Sequence, residues 1–174
     1  MRLRGWDYSQ AAVYFVTICT YQRECLLGEV VDGRVRTNAY GRIVEEERRT
    51  REIRPEVELD AFMVMPNHLH GIVVVPGRGA RPRLRQDLRP CAPTTGHLFR
   101  RPRSLGSLVA GFKSASTRRI NAVRGAAGSA VWQRNYHDRI VRNKRELRAI
   151  RQYIRQNPAH WPDDPENLSQ LVQG

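Results

Sequence analysis

The run Met65-Pro66-Asn67-His68-Leu69-His70-Gly71-Ile72-Val73-Val74-Val75 constrains this chain more than any other segment. Its β-branched end favours a strand. Side chains at i and i+2 of a strand share a face, so His68, His70, Ile72 and Val74 point the same way. Two imidazoles held side by side are a ready pair of metal ligands. Pro66 and Asn67 suit a tight turn, Pro through its fixed φ and Asn through its tolerance of positive φ. Val57 to Met65 then reads as the strand that enters this turn. Gly71, on the face opposite the histidines, allows close backbone approach.

The other elements follow from local pattern. Ala12 to Thr20 is a β-branched and aromatic run, hence a strand. Val30 to Val35 reads as a small hairpin around Asp32-Gly33. Asn38 caps a helix that runs to about Ile53 and is stopped by Pro55; its weak apolar periodicity predicts a largely exposed helix. Ser104 caps a second helix, with Leu105, Leu108, Val109, Phe112, Ile120 and Val123 at helical spacing. Lys113, Arg118, Arg119 and Arg124 fall mostly off that stripe, and Gly125 to Gly128 ends the helix. Val131 to Val141 alternates as a fourth core strand. Asn143 opens a third helix, Glu146 completes a capping-box-like pair, and Pro158 ends it. The first six elements give α+β order βαββαβ, the ferredoxin-like arrangement, with helices over an antiparallel sheet and a further C-terminal helix.

With 174 residues the expectation is a single domain spanning 1–174. Thirty Lys and Arg against 17 Asp and Glu give a net charge of +13. That excess, mostly arginine, points to a polyanion, and guanidinium forks suit phosphate. A generally basic surface without a partner is the plainer alternative. Residues 76–103 hold eight arginines, five prolines and one acid, without period, and read as a basic flexible insertion. Such a loop either grips phosphate backbones or is merely solvated. Cys19, Cys25 and Cys91 form neither a metal spacing nor an even framework, so they read as reduced thiols. No apolar run approaches the length of a membrane span and the N-terminus has no signal-like apolar core. The expected location is the cytoplasm, at the nucleoid in use.

On a helical wheel centred on Leu147, Ile154 falls at roughly 340°, Ile150 at roughly 300°, Asn157 at roughly 280° and Tyr153 at roughly 240°. Arg145, Arg148, Arg151 and Arg155 take the other side. Tyr153 and Asn157, at i and i+4, therefore share the shoulder of the buried face. From there a phenol serves as nucleophile and an amide oxygen as third ligand beside His68 and His70. This constellation suits phosphodiester cleavage, in which a cation offsets charge developing on phosphorus. A phenol attacks poorly until a cation or base favours its anion. Attack yields a phosphotyrosine and a free hydroxyl, so the bond can be rejoined. The ligand set fits Mg²⁺ moderately and leans toward Mn²⁺ or other transition metals. Tyr136, beside Trp132 on the fourth strand, is the rival nucleophile but has no helical partner. His97, His137 and His160 are read as bystanders.

At Val57 to Val75 (VELDAFMVMPNHLHGIVVV), Gly111 to Asn121, Val131 to Val141 and Ile150 to Trp161 (IRQYIRQNPAHW), the chain resembles the REP-associated tyrosine transposases. These belong to the HUH single-strand nuclease and transposase superfamily. The resemblance covers most of the chain. It implies a ferredoxin-like catalytic domain, Tyr153 as the single catalytic tyrosine, and Asn157 as the residue that completes the metal site. It implies cleavage of single-stranded DNA near a folded hairpin, usually a palindromic repeat, with the protein attached to the new 5′ end. The chain departs from the pattern at His137, where a second aromatic is common, and in the length of the 76–103 insertion.

The expected function is thus a metal-dependent single-stranded DNA transposase or endonuclease. His68, His70 and Asn157 hold Mg²⁺ or Mn²⁺, and Tyr153 attacks. Lys113, Arg118, Arg119, Arg134 and Arg151 hold the DNA. A non-catalytic basic nucleic-acid-binding protein on the same scaffold is the alternative. A hydrolase of small phosphoesters is a third, weakened by the lack of further His or Asp ligands shortly after His70. The hairpin recognised and the choice of monomer or homodimer stay open at this stage.

Overall fold

The computed structural model describes residues 11–52, 58–75, 104–164 and 166–167. In chain order these form β1 (Ala12–Cys19), β2 (Gly28–Val31), β3 (Arg34–Thr37), α1 (Ala39–Glu52), β4 (Glu58–Val64), β5 (His68–Val75), α2 (Leu105–Arg124), β6 (His137–Val141) and α3 (Lys144–Gln156). A 3₁₀ turn, Asn157–Asp163, follows α3 directly. None of the described helices is long and apolar enough to cross a membrane.

The main sheet has the order β4-β5-β1-β6, and every neighbouring pair is antiparallel. Strand β1 lies between β5 and β6, so α1 and α2 each connect strands separated by one intervening strand. This is the split βαβ arrangement used twice, the order expected from sequence. The β2–β3 hairpin is a separate ribbon. Its turn residues Asp32 and Gly33 have φ of 52° and 67°, the positive values that a tight two-residue hairpin turn requires.

The two faces of the sheet have different roles. On one, Tyr14, Val16 and Ile18 of β1 and Leu69, Val73 and Val75 of β5 meet Ile43 and Val44 of α1 and Leu105, Val109, Phe112 and Ile120 of α2. Each of these larger side chains, fully buried, contributes about 1.5–3 kcal/mol to folding. The opposite face carries the two histidines and packs against α3, which enters through the buried Ile154. Helix starts follow the expected chemistry. Asn38 Oδ1 accepts from the N–H groups of Tyr40 and Gly41, Ser104 Oγ from Ser107, and Asn143 Oδ1 from Glu146. Helix α2 ends at Gly125, whose φ of 64° supplies the left-handed cap.

Four local expectations are corrected. Helix α1 is not largely exposed: Ile43, Val44 and Glu47 are buried against α2. Val123, placed on the apolar stripe of α2, is 60% exposed, because Ile120 and Asn121 take the inward positions in the last turns of the helix. Asn67 does not use positive φ. The fourth strand is only His137–Val141. Upstream of it the pairing shrinks to one bridge between Trp132 and Thr20, where Tyr21 N–H donates to the Val131 carbonyl and Gln133 N–H to that of Cys19, while Lys113 Nζ takes the carbonyls of Gln133 (2.7 Å) and Asn135 (2.8 Å). The Trp132 side chain reaches α2, its indole N–H donating to Ser116 Oγ at 2.9 Å. The basic insertion at 76–103, with Cys91 and His97, lies outside the described residues.

Candidate active site

The corner before β5 sets the geometry of the first histidine. Met65 N–H donates to the His68 carbonyl at 2.8 Å, which closes a hairpin over Pro66 and Asn67. The Asn67 carbonyl accepts from both the N–H and the hydroxyl of Thr20. The Asn67 side chain is buried, and its amide nitrogen donates to the carbonyls of Arg23 (3.2 Å) and Glu166 (2.5 Å). Its Oδ1 is thereby left to accept from His68 Nδ1, at 2.8 Å. With Nδ1 carrying the proton, the neutral ring presents the lone pair of Nε2 to the site.

His70 is oriented from the neighbouring strand. Thr17 pairs with His70 across β1 and β5, and Thr17 Oγ1 lies 2.9 Å from His70 Nδ1. The two Nε2 atoms stand 3.1 Å apart. In the free protein one of them must carry a proton for the contact to be favourable. His68 Nε2 is the acceptor, so His70 Nε2–H donates and the Thr17 hydroxyl gives its proton to Nδ1. Rotation of that hydroxyl permits the other tautomer, with Nδ1–H donating to Thr17 and both Nε2 lone pairs free for a cation.

The third wall is α3. Its cap at Asn143 fixes the start, and Arg151 binds Asp60 of β4 through Nε at 2.8 Å and a second nitrogen at 2.6 Å. This sets the rotation of the helix, with Ile154 inward and Tyr153 at the edge, 45% exposed. The Tyr153 hydroxyl lies 3.5 Å from His70 Nε2. Phe15 packs edge-on to the Tyr153 ring with centroids 6.1 Å apart. The site opens into a cavity of about 270 Å³ lined by Phe15, Thr17, His70, His137, Tyr153, Asp164 and Glu166. The rival nucleophile Tyr136 is not in that wall. It packs against the main core, with Lys113 Nζ 5.8 Å from its ring centre.

Asn157, read as the third ligand, is buried at the end of α3. Its amide nitrogen donates to Asp164 Oδ2 at 2.6 Å, and its Oδ1 is buried without a hydrogen-bond partner. Asp164 is the residue that sequence reasoning missed. The 3₁₀ turn brings its carboxylate back, so that ligand atoms of His68, His70 and Asp164 all lie within 4.8 Å of one another. The backbone N–H of Glu166 donates to its other oxygen at 2.7 Å. Nothing local in the Pro-flanked Asp163-Asp164 pair signals this role, since the turn after α3 alone decides where it points.

Two imidazoles, a carboxylate and an orphaned amide oxygen fit a divalent cation of the Mn²⁺ or Mg²⁺ kind. The electrostatics agree. Burial pushes His70 down to about 3, and its neighbour His68 adds to the shift. Burial also lowers His68, against the pull of Asp164 and Glu166. Both rings are therefore neutral, as ligands must be. Burial raises the Tyr153 phenol, and the carboxylates of Asp164 and Glu166 raise it further, against a hydrogen bond from Asn157. A cation beside Asp164 neutralises that opposing charge and favours the phenolate.

No family model matches the chain. A protein of Haemophilus influenzae named only as uncharacterized is 33% identical over 170 residues, spanning 94% of this chain and 89% of its own. This chain belongs to that protein's family. The structure of the REP-associated tyrosine transposase, solved bound to a REP hairpin, matches at a TM-score of 0.61 and 16% identity, covering 100% of this chain and 87% of the other. The α+β fold is therefore that of the transposase whose motifs the sequence resembles. A chain from Deinococcus radiodurans, provisionally named a transposase, matches at a TM-score of 0.47 and 20% identity, covering 89% of this chain and 95% of the other.

Within this transposase fold the five cations expected to hold DNA divide into two sets. Three are engaged inside the protein. Arg119 joins α2 to Glu46 and Glu47 of α1, Arg151 joins α3 to Asp60, and Lys113 holds the loop carbonyls before β6. Arg118 and Arg134 are exposed, and together they line an open groove of about 710 Å³ between α2 and the 127–134 segment.

Proposed function

We propose that this protein is a metal-dependent single-stranded DNA transposase or endonuclease that cuts and rejoins strands through a 5′-phosphotyrosine. One observation carries the reading: the Tyr153 hydroxyl stands 3.5 Å from the Nε2 of a paired, neutral histidine, at the mouth of a cavity walled by a carboxylate. A half-exposed phenol at a helix end needs no such neighbours for stability, and a phosphoryl acceptor needs all of them.

His68, His70 and Asp164 would hold the cation, with Asn157 Oδ1 beside them. The cation, when bound, polarises a nonbridging phosphate oxygen. Tyr153 Oη attacks phosphorus, the bond to the 3′-oxygen breaks, and the downstream segment stays on the tyrosine through its 5′-phosphate while the upstream segment ends in a 3′-hydroxyl. Reversal by another 3′-hydroxyl rejoins DNA without an external energy source. Phe15 and Trp161 flank the histidines, with ring centres 5.3 Å from His70 and 6.1 Å from His68. The arginine excess and the groove at Arg118 and Arg134 supply the charge that a strand requires. The hairpin held by the structurally similar transposase supports a folded palindromic repeat as substrate, and the site works in the cytoplasm where such DNA lies.

The test is incubation with hairpin-bearing single-stranded oligonucleotides and Mn²⁺ or Mg²⁺, followed by a denaturing gel. The expected product is a covalent DNA–protein adduct that Tyr153→Phe abolishes. Salt-sensitive DNA binding without an adduct under either metal would instead favour a non-catalytic binding protein.

A further inference from the structure

Three strands present side chains to the cavity at one level. Thr17 of β1 is paired with His70 on β5 and with His137 on β6. Directly opposed residues of antiparallel strands project to the same face. His70, Thr17 and His137 therefore form a row across β5, β1 and β6, and all three line the cavity that holds Tyr153. The two histidines of the row differ. His70 is buried and faces the ligand cluster, whereas His137 is exposed at the outer rim, two strands away. Cross-strand neighbours are about 4.5–5.5 Å apart, so the two backbones stand about 10 Å from each other, room for a phosphodiester between their rings.

Tyr153, the two buried histidines and Asp164 leave the leaving group unserved. Cleavage expels a 3′-oxygen, an alkoxide far too basic to depart unprotonated at neutral pH, and in-line attack sends it away from the tyrosine. Asp164 and Glu166, which also line the wall, are carboxylates that share the sign of the departing oxygen and carry no proton for it, and His70 is committed to Thr17 and His68. Imidazole is the side chain suited to give and take back a proton near neutral pH.

We infer that His137 is the general acid for the leaving 3′-oxygen, and the general base when the strand is rejoined. This rests on the phosphotyrosine reading above. In cleavage the Tyr153 oxygen–phosphorus bond forms and its phenolic proton is released to water. The phosphorus–O3′ bond breaks, and the departing oxygen takes the proton of the His137 imidazolium. In rejoining, His137 takes the proton from the attacking 3′-hydroxyl as the phosphotyrosine bond breaks.

The experiment compares two hairpin oligonucleotides, identical except that one carries sulfur in place of the bridging 3′-oxygen at the position the wild-type protein cuts. A thiolate leaves without protonation, its conjugate acid being a far stronger acid than an alcohol. Single-turnover adduct formation in Mn²⁺ is measured for the wild type, His137→Gln and His137→Phe, with thermal melts to check folding. Both variants are expected to slow cleavage of the oxygen substrate about 10²–10⁴-fold and to cut the sulfur substrate within a few-fold of wild type. Equal losses on both substrates would make His137 a phosphate contact or a structural residue and overturn the inference, as would no loss on the oxygen substrate. Those results leave the phosphotyrosine reading standing. Absence of any adduct with the wild-type protein removes that reading and this inference together.

Discussion

The hydroxyl of Tyr153 and Nε2 of His70 lie 3.5 Å apart, although 83 residues separate them in the chain. That distance is too long for a strong hydrogen bond and suits two groups that share a third partner. The phenol is held near the histidine pair by the rotation of α3, which the Arg151–Asp60 ion pair and the buried Ile154 together determine. Ile154→Ala is expected to destabilise the fold by about 2–5 kcal/mol and to lower adduct formation beyond what the unfolded fraction explains. Urea melts paired with adduct yields per folded molecule check this, and an unchanged yield per folded molecule would contradict it.

The ligand set predicts a hierarchy among the acids and amides. Asp164→Ala is expected to weaken Mn²⁺ binding at least ~10-fold, measured by calorimetry, with Asn157→Ala having the smaller effect because Asp164 offers the charge. An Asp164→Ala protein that binds Mn²⁺ like wild type, beside an Asn157→Ala protein that does not, would restore Asn157 as the principal oxygen ligand.

Thr17 governs the tautomer of His70 through the 2.9 Å contact at Nδ1. Thr17→Val removes that partner at almost constant shape. The expected result is a 10–100-fold loss of metal affinity, with Thr17→Ser restoring most of it. Equal affinities for the valine and serine variants would show that the contact does not orient the ring.

Acid should unfold this protein through its buried histidines. His70 falls from an ordinary value of 6.5 to about 3 in the folded state, so the unfolded chain binds the proton first. Its contribution is full above pH 6.5 and is lost progressively as pH falls toward 3, at about 1.4 kcal/mol per pH unit. His68, also lowered by burial, adds with the same sign. The metal-free protein is expected to have a clearly lower urea midpoint at pH 5 than at pH 7. A flat midpoint across that interval would mean that the rings are charged or solvated.

The division among the basic residues is testable by salt dependence. Neutralising Arg118 or Arg134 should weaken single-strand binding and reduce the log–log salt slope by about 1 each. Arg119→Gln and Arg151→Gln should lower stability with little change in slope, since both are engaged with acids of the protein. A slope change at Arg119 equal to that at Arg118 would place both on the DNA.

Much of this site was legible because it is local. The i, i+2 relation of His68 and His70 and the i, i+4 relation of Tyr153 and Asn157 need only the periods of a strand and a helix. The same applies to the caps at Asn38, Ser104 and Asn143. The break in the strand expected from Val131 was not legible: Trp132 bridges Thr20, but Lys113 on a different element then takes the carbonyls of Gln133 and Asn135. Asp164 was not legible either, because its position depends on a 3₁₀ turn and on bonds to Asn157 and Glu166.

By itself the sequence determined the order of the elements, the face on which two imidazoles stand, and the presence of a phenol near the inner edge of the last helix. Periodicity and capping act over a few residues and leave a direct trace in the chain. The tertiary structure decided which acid lies beside the histidines, which of the candidate arginines are tied to acids and which line the groove, and that His137 shares a row with His70. Those relations depend on strand register and on partners dozens of residues away, which local preference does not specify.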